Sequence, residues 1–411
     1  MRTHWLTCSL VVALVLGAVA AAVAETQGPP AVEVHGWSLT RYYIDTTVNG
    51  TRDSVTGAIT NEEDESHLEW ERFSLYAKAR LPEGREAYAE VYIHPWVAND
   101  DPSFLYLESL YLDVPLAPGA KLRMGKGRST AFGIVPAYGN RKTSNYSPLS
   151  ETFTMDRALG VQLMQKRGND SLNVGLFESQ RPGTRLIGMA ADSQIDGGKN
   201  AIAATLVSHL ANRDTPAGRS GKLELSARYG RQMADLNVGV SGRGGAMDDE
   251  DADLLGSSKM FQAHFTETGT TPNKTRLYWG LDATYKKMPF VGTAEYYAGS
   301  LGGIDQSGYA ILFGVEPTKQ CTGIWRELSG ACKGLFVRYV SLDIDVTPVM
   351  DSSLTWDTQQ WAVSYVLPIK IKYLPLAKWL QIEYERNTED SPEGAEDVPN
   401  DMLFAELFSA F

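Results

Sequence analysis

The sequence predicts an all-β fold: a transmembrane antiparallel β-barrel of 16–18 strands with one long loop. Three observations predict it. Segments of about eight to twelve residues alternate apolar and polar side chains and end at turn signals, which is the pattern of a strand with two unlike faces. The polar face is rich in Arg, Lys, Glu and Asp, which suits a wet lumen and not a dry core. Trp and Tyr recur at apolar-face positions near strand ends, where an interfacial girdle would lie. A closed sheet follows physically, because an open strand edge has no hydrogen-bonding partner in hydrocarbon.

Residues 1–24 read as an export signal. Arg2 precedes an apolar stretch from Leu10 to Leu16, and the segment ends in Ala22-Val23-Ala24, the small-x-small pattern of a cleavage site. Residues 25–411 form one barrel domain by the same reading. After residue 24 no apolar run approaches the ~20 residues of a membrane helix. The alternation is clearest in "RFSLYAKARL" (72–81), "KLELSARY" (222–229), "RLYWGLDATY" (276–285) and "QWAVSYVL" (360–367). Applied along the chain, it gives strands near 33–46, 67–81, 87–97, 105–114, 120–127, 157–166, 172–179, 200–208 and 221–229. The second half gives 235–242, 259–266, 275–285, 290–299, 308–316, 334–345, 357–367, 378–386 and 402–411. Eighteen strands place "GAMDDEDADLLGS" and "KQCTGIWRELSGACKG" on the side of the short turns. Such turns are usually brief, so a miscount between about 200 and 320 is expected and sixteen stays open.

Cys321 and Cys332, with ten residues between them and the leader's Cys8 removed, read as a local disulfide in an exported chain. No haem-attachment or metal-ligand spacing occurs, so no cofactor and no metal is expected. The formal charge is −12, and residues 1–24 hold one base and no acid, which leaves the remainder near −13. That charge argues against nucleic acid as a partner. The acidic runs at 61–65, 248–253 and 389–401 read as solvated loops.

The most distinctive stretch is "LRMGKGRSTAFGIVPAYGNRKTSNYSPLSETFTMDRALGVQL" (122–163), which starts and ends as strand and holds a connection of nearly thirty residues. Connections of that length are usually functional or disordered. "LRMGKGRSTAFG" and "DRALGVQL", with Arg157, Gly160, Val161 and Gln162, resemble the Gram-negative porins of the phosphate-selective (O/P-type) family. "ESLYLDVPLAPGAKLRMGKGR" is similar to the hairpin before that motif, so the likeness spans about residues 105–165, with Ala131 where the pattern has Pro.

The resemblance implies an outer-membrane barrel, a homotrimer, and a loop, residues 128–156, that folds inward and narrows the lumen. Carried over, the constriction charges are Arg128, Arg141, Lys142, Glu151, Asp156 and Arg157. Alternation itself sends Arg72, Lys78, Arg80, Glu90, Arg228 and Arg338 to the lumen. A ladder of cations for phosphate does not follow from 38 bases against 50 acids, so selectivity stays open.

The expected function is a channel for passive diffusion of small hydrophilic solutes or ions, in contact with outer-membrane lipid and lipopolysaccharide. A second reading is the sheath of a porin–cytochrome conduit, its partner a multihaem cytochrome. A barrel enzyme is disfavoured because His35, His67, His94, His209 and His264 form no nucleophile–base or metal constellation. A soluble exported sandwich is the remaining fold alternative. The ending "LFAELFSAF" places Leu403, Ala405, Leu407, Ser409 and Phe411 on one face. It resembles the terminal signal read by the barrel-assembly machinery, with Phe404 and Phe408 on the face expected to be polar.

Overall fold

In the computed structural model the alternating segments pair into a single closed antiparallel barrel of sixteen strands. The structure describes residues 31–52, 59–64, 66, 68–93, 105–135, 142–143, 146–154, 157–179, 181–186, 192–193, 208–213, 222–316, 334–350, 355–369, 376–396 and 401–411. The strands are β1 (Ala31–Arg52), β2 (Leu68–Arg80), β3 (Glu86–Ile93), β4 (Leu105–Ala117), β5 (Ala120–Arg128), β6 (Arg157–Arg167), β7 (Asp170–Glu178) and β8 (Leu223–Met233). They continue as β9 (Leu236–Ala246), β10 (Thr275–Lys287), β11 (Phe290–Leu301), β12 (Ile304–Val315), β13 (Gly334–Asp345), β14 (Asp357–Pro368), β15 (Ala377–Asp390) and β16 (Met402–Ala410). Each strand pairs with the next, and β16 returns to β1, where Arg41 lies opposite Glu406. Closure leaves no strand edge unpaired around the ring.

Two strands of the eighteen are corrected. Segment 259–266 is helical: α2 (Asp249–Ser257) and α3 (Lys259–Thr268) follow β9, with a shorter helix, α1 (Pro148–Phe153), earlier in the chain. Phe261 and Phe265 are buried while Gln262 and Thr266 are exposed, so burial follows the helical period and not alternation. Segment 200–208 lies outside the described residues up to 207, and Ser208–Arg213 joins Arg181–Leu186 and Asp192–Ser193 in a small sheet apart from the barrel. Ser208–Arg213 is not a wall strand, since β7 pairs directly with β8. Removing both segments from the strand count moves the 247–274 connection to the side of the long loops and leaves the β12–β13 connection with the short turns. The predicted pair Cys321–Cys332 and the leader 1–24 lie outside the described residues. The acidic runs are not loops throughout: Ile59–Asp64 is a short strand paired with β1, Glu389 and Asp390 end β15, and part of 248–253 is helical. Asp249, Glu250 and Asp251 form the first turn of α2, where carboxylates complement the exposed amides of a helix N-terminus. Lys274 Nζ donates a hydrogen bond to Asp249, and with its charge holds that carboxyl below its usual value.

The two faces are unlike in chemistry. Along β10, Leu277, Trp279 and Leu281 are exposed on the outside, while Arg276, Tyr278 and Asp282 are buried within. Tyr309, Tyr339, Trp361 and Tyr384 extend the outer aromatic surface over β12–β15. A lipid solvent rewards this arrangement, and water would penalise it.

The chain end is sealed as its alternation predicts. Phe411 N donates to Gly36 O at 2.9 Å and Gly36 N donates to Phe411 O at 3.0 Å. The Phe411 ring lies where a side chain at Gly36 would project: a Cβ there would meet the ring at 2.4 Å. Phe408 and Phe404 turn inward, against Trp37 and Tyr43 respectively. Gly36→Val and deletion of Phe411 should each lower the yield of assembled barrel several-fold, read from the heat-modifiable gel band, while channels that do form conduct normally. Wild-type yield in both variants would show that this seat plays no part in assembly.

Candidate functional site

The connection between β5 and β6 turns into the barrel instead of away from it. Gly133, whose φ of 58° is in the left-handed region, directs the turn, with Tyr297 and Thr154 packed where a Cβ would be. From there the segment bonds to wall strands on both sides. Thr130 O accepts from Asn173 Nδ2 on β7 at 3.0 Å, Gly133 N donates to Ser241 Oγ on β9 at 3.2 Å, and Ile134 N donates to Tyr297 Oη on β11 at 3.0 Å. Further along, Arg338 of β13 bonds Thr143 Oγ1, and Gln381 Nε2 of β15 donates to Lys142 O at 3.3 Å. Lys142 Nζ pairs with Glu316 at the short-turn end of β12.

The segment then forms α1. Ser147 caps the helix by accepting from Ser150 N at 3.0 Å, and Pro148 opens it. All six helical residues are buried, Glu151 among them. Leu149 and Phe153 pack with Phe132, with Met247, Leu255, Phe261 and Phe265 of the α2–α3 connection, and with Leu301, Ile304, Leu342 and Ile344 of the wall. An apolar plug therefore fills the lumen beside β10–β13 on the long-loop side. Below the loop, toward the short turns, a cavity of about 570 Å³ is lined by Thr130, Ile134, Asn173, Arg228, Asn237 and Lys286.

Charges on the wall are arranged in an alternating lattice. Starting on β16, Glu406 accepts from Arg41 Nη2 at 2.8 Å, and Arg41 also meets Glu71 at 3.4 Å. Glu71 lies 3.7 Å from Arg72. Glu108 follows on β4, accepting from Arg128 Nε at 2.9 Å and pairing with Arg157. From this pair Arg128 Nη2 donates to Tyr146 Oη of the loop at 3.0 Å. On the other side, Glu383, Glu385 and Glu389 line the buried face of β15, with Arg338 Nη2 3.2 Å from Glu385. In the ring of sixteen, β15 and β6 are seven steps apart through β16 and β1, close to diametrically opposite. Opposed acid and base across a bridged lumen produce a transverse field.

The sequence-derived residues fall as follows. Arg128, Lys142, Glu151 and Arg157 all lie within the barrel in the loop region; Arg141 and Asp156 lie outside the described residues. Arg72, Glu90 and Arg338 are buried on the inner face. Lys78 pairs with Glu86 at 2.8 Å and Arg80 with Glu33 at 2.9 Å near the short-turn rim, and Arg228 pairs with Asp282. Sequence reasoning missed Arg41, Glu108, Glu224, Arg243, Arg276 and Glu406, all nearly or fully buried on the inner wall. Glu224 binds both Arg243 at 2.7 Å and Arg276 at 3.1 Å. Alternation puts Glu224 in step with Arg228, and Arg276 on the polar face of "RLYWGLDATY", whereas Glu108 sits beside a break in parity.

No protein-family model matches the chain, and no curated protein matches it in sequence. Solved structures do match. OmpF of Salmonella typhi, in complex with daunomycin, superposes with a TM-score of 0.55 at 8% identity, covering 92% of this chain and 97% of that one. An anion-selective porin from Comamonas acidovorans gives 0.53 at 12%, covering 93% and 100%. OmpT of Vibrio cholerae, an outer membrane protein in a trimer form, gives 0.51 at 12%, covering 93% and 99%. At these identities the likeness is one of fold: a porin-like sixteen-strand barrel.

Proposed function

We propose that this chain forms a water-filled channel in a bacterial outer membrane for the passive diffusion of small hydrophilic solutes. The observation that carries the reading is the β5–β6 loop, which crosses the inside of a closed barrel and is bonded to β7, β9 and β11 on one side and to β13 and β15 on the other. A loop held there sets a narrow passage between charged walls. In this reading Arg128, Arg141, Lys142, Glu151, Asp156 and Arg157 set the constriction, and Arg72, Lys78, Arg80, Glu90, Arg228 and Arg338 line the approach. The export-like leader and the apolar outer face support the location. The motif at 122–163 supports kinship with O/P-type porins, and the trimer form of the Vibrio OmpT supports a homotrimer. The Cys321–Cys332 bridge remains part of the proposal.

The sheath reading, with a cytochrome inside the barrel, fares worse. A second chain in the lumen would have to displace Phe132, Leu149 and Phe153 from a buried apolar cluster. Purified protein in a planar bilayer should give discrete conductance steps in KCl. Silence from protein that shows the heat-modifiable band would remove the channel reading.

A further inference from the structure

One feature of the inner wall belongs neither to the constriction nor to the plug. Near the short-turn end, five adjacent strands each contribute one flat side chain to a continuous row. His35 of β1 lies 5.4 Å from Tyr76 of β2 between ring centroids. Tyr76 lies 5.8 Å from Tyr88 of β3, and Tyr88 stacks at 5.1 Å on Tyr111 of β4. Arg123 of β5 closes the row, its guanidinium 3.6 Å from the Tyr111 centroid. All five point inward, because each shares the alternation of the wall's buried charges, and all five stay partly exposed. They face the lumen below the level of Trp37, Tyr92 and Tyr146, which are fully packed.

Packing alone does not require this strip. Cross-strand ring pairs do stabilise sheets, but here the rings stay partly open to an interior that is otherwise polar. The groups around the row form matched pairs. Lys78 meets Glu86 at 2.8 Å and Arg80 meets Glu33 at 2.9 Å. Asp113 takes Arg123 at 2.7 Å and Lys121 at 2.6 Å. Glu90 accepts from Ser74 at 2.6 Å and from Tyr88 at 2.9 Å. Four acids and four bases leave the strip without net formal charge, so neither an anion nor a cation is drawn to it by long-range attraction.

From this combination we infer that the aromatic strip is a binding subsite for neutral saccharides crossing the channel. Aromatic carbon takes the C–H face of a pyranose ring. The flanking carboxylates and cations offer acceptors and donors in fixed positions for its hydroxyls, as orienting polar groups do in other solute sites. The row runs across five strands, so it is longer than one sugar ring and suits a short oligosaccharide. The inference rests on the channel reading, since it supplies the solute class that the channel would favour.

The test is isothermal titration of maltohexaose into detergent-purified full-length protein, with bilayer conductance in KCl measured separately on the same preparation. Wild type should release binding heat with maltohexaose and none with sorbitol, which has the hydroxyls but no ring. Tyr88→Ala and Tyr111→Ala should each weaken binding at least about tenfold, while Tyr88→Phe and Tyr111→Phe keep it. Gel mobility confirms that each variant is folded, and the wild-type comparison of maltohexaose with sorbitol decides the matter if the alanine variants do not fold. No heat with maltohexaose, equal heat with sorbitol, undiminished binding in folded alanine variants, or tighter binding of tetramethylammonium would each overturn the inference. Conductance steps without sugar binding would leave the channel reading intact and remove this one; sugar binding without conductance would remove the channel reading, and with it transit, and leave only a saccharide site on the wall.

Discussion

Glu108→Ala is expected to destabilise the barrel by about 3–5 kcal/mol, the usual cost of removing one partner from a buried ion cluster. Glu108 is 1% exposed and accepts from Arg128 Nε while pairing with Arg157. Arg72 acts on the same carboxylate through space. Without it, three arginines face one another, and for Arg128 the Tyr146 hydroxyl at 3.0 Å is a neutral substitute for a charge. The loss should spread along the lattice, because Arg72 is also tied to Glu71, which shares Arg41 with Glu406. Glu108→Gln keeps the shape and one acceptor oxygen, and should fall between. The double replacement Glu108→Leu with Arg157→Leu should cost less than Glu108→Ala, since it removes charge of both signs. The readout is the temperature at which the folded gel band is lost. A second readout is the reversal potential across a KCl gradient, which should move toward anion preference in Glu108→Ala. A variant as heat-resistant as wild type would mean that water, and not Glu108, balances these arginines.

The wall was legible because a barrel wall repeats one rule. In "RLYWGLDATY" every second residue meets lipid, and the structure keeps that order from Leu277 to Tyr285. The rule misled at 259–266, where Phe261, Ala263 and Phe265 satisfy period two while Phe261 and Phe265 also satisfy a helical turn. Packing decided it: those two rings face Leu301, Ile304, Leu342 and Ile344 from inside, which a wall strand could not do. Glu108 was hidden by a register shift between β3 and β4, where Glu90 faces Ser109 but Val91 faces Leu107. A bulge of that kind breaks the parity on which an inward assignment depends. The inward loop was legible from its length and motif. Its anchors were not, because the partners are remote in sequence: Ile134 bonds Tyr297, 163 residues away, and Lys142 bonds Gln381, 239 away.

Replacing residues 129–156 by a four-residue glycine–serine bridge is expected to raise single-channel conductance, on the order of twofold or more, since the passage would no longer be divided by backbone. The bridge is sterically simple. Arg128 and Arg157 are already paired across β5 and β6, so the strand ends are hairpin neighbours. Ion preference should change far less than conductance. Between residues 129 and 156 the sequence holds Arg141 and Lys142 against Glu151 and Asp156, so its removal leaves the formal charge of the chain unaltered. Heat resistance should fall, because Phe132, Leu149 and Phe153 leave the cluster that seats α2 and α3. Arg338 would lose Thr143 as a partner and keep Glu385. These effects separate two roles of the loop. If conductance rises and reversal potential holds, the loop sets the width and the walls set the field. If conductance is unchanged, the α2–α3 plug and not the loop limits the passage, and shortening residues 249–268 becomes the change that should open it.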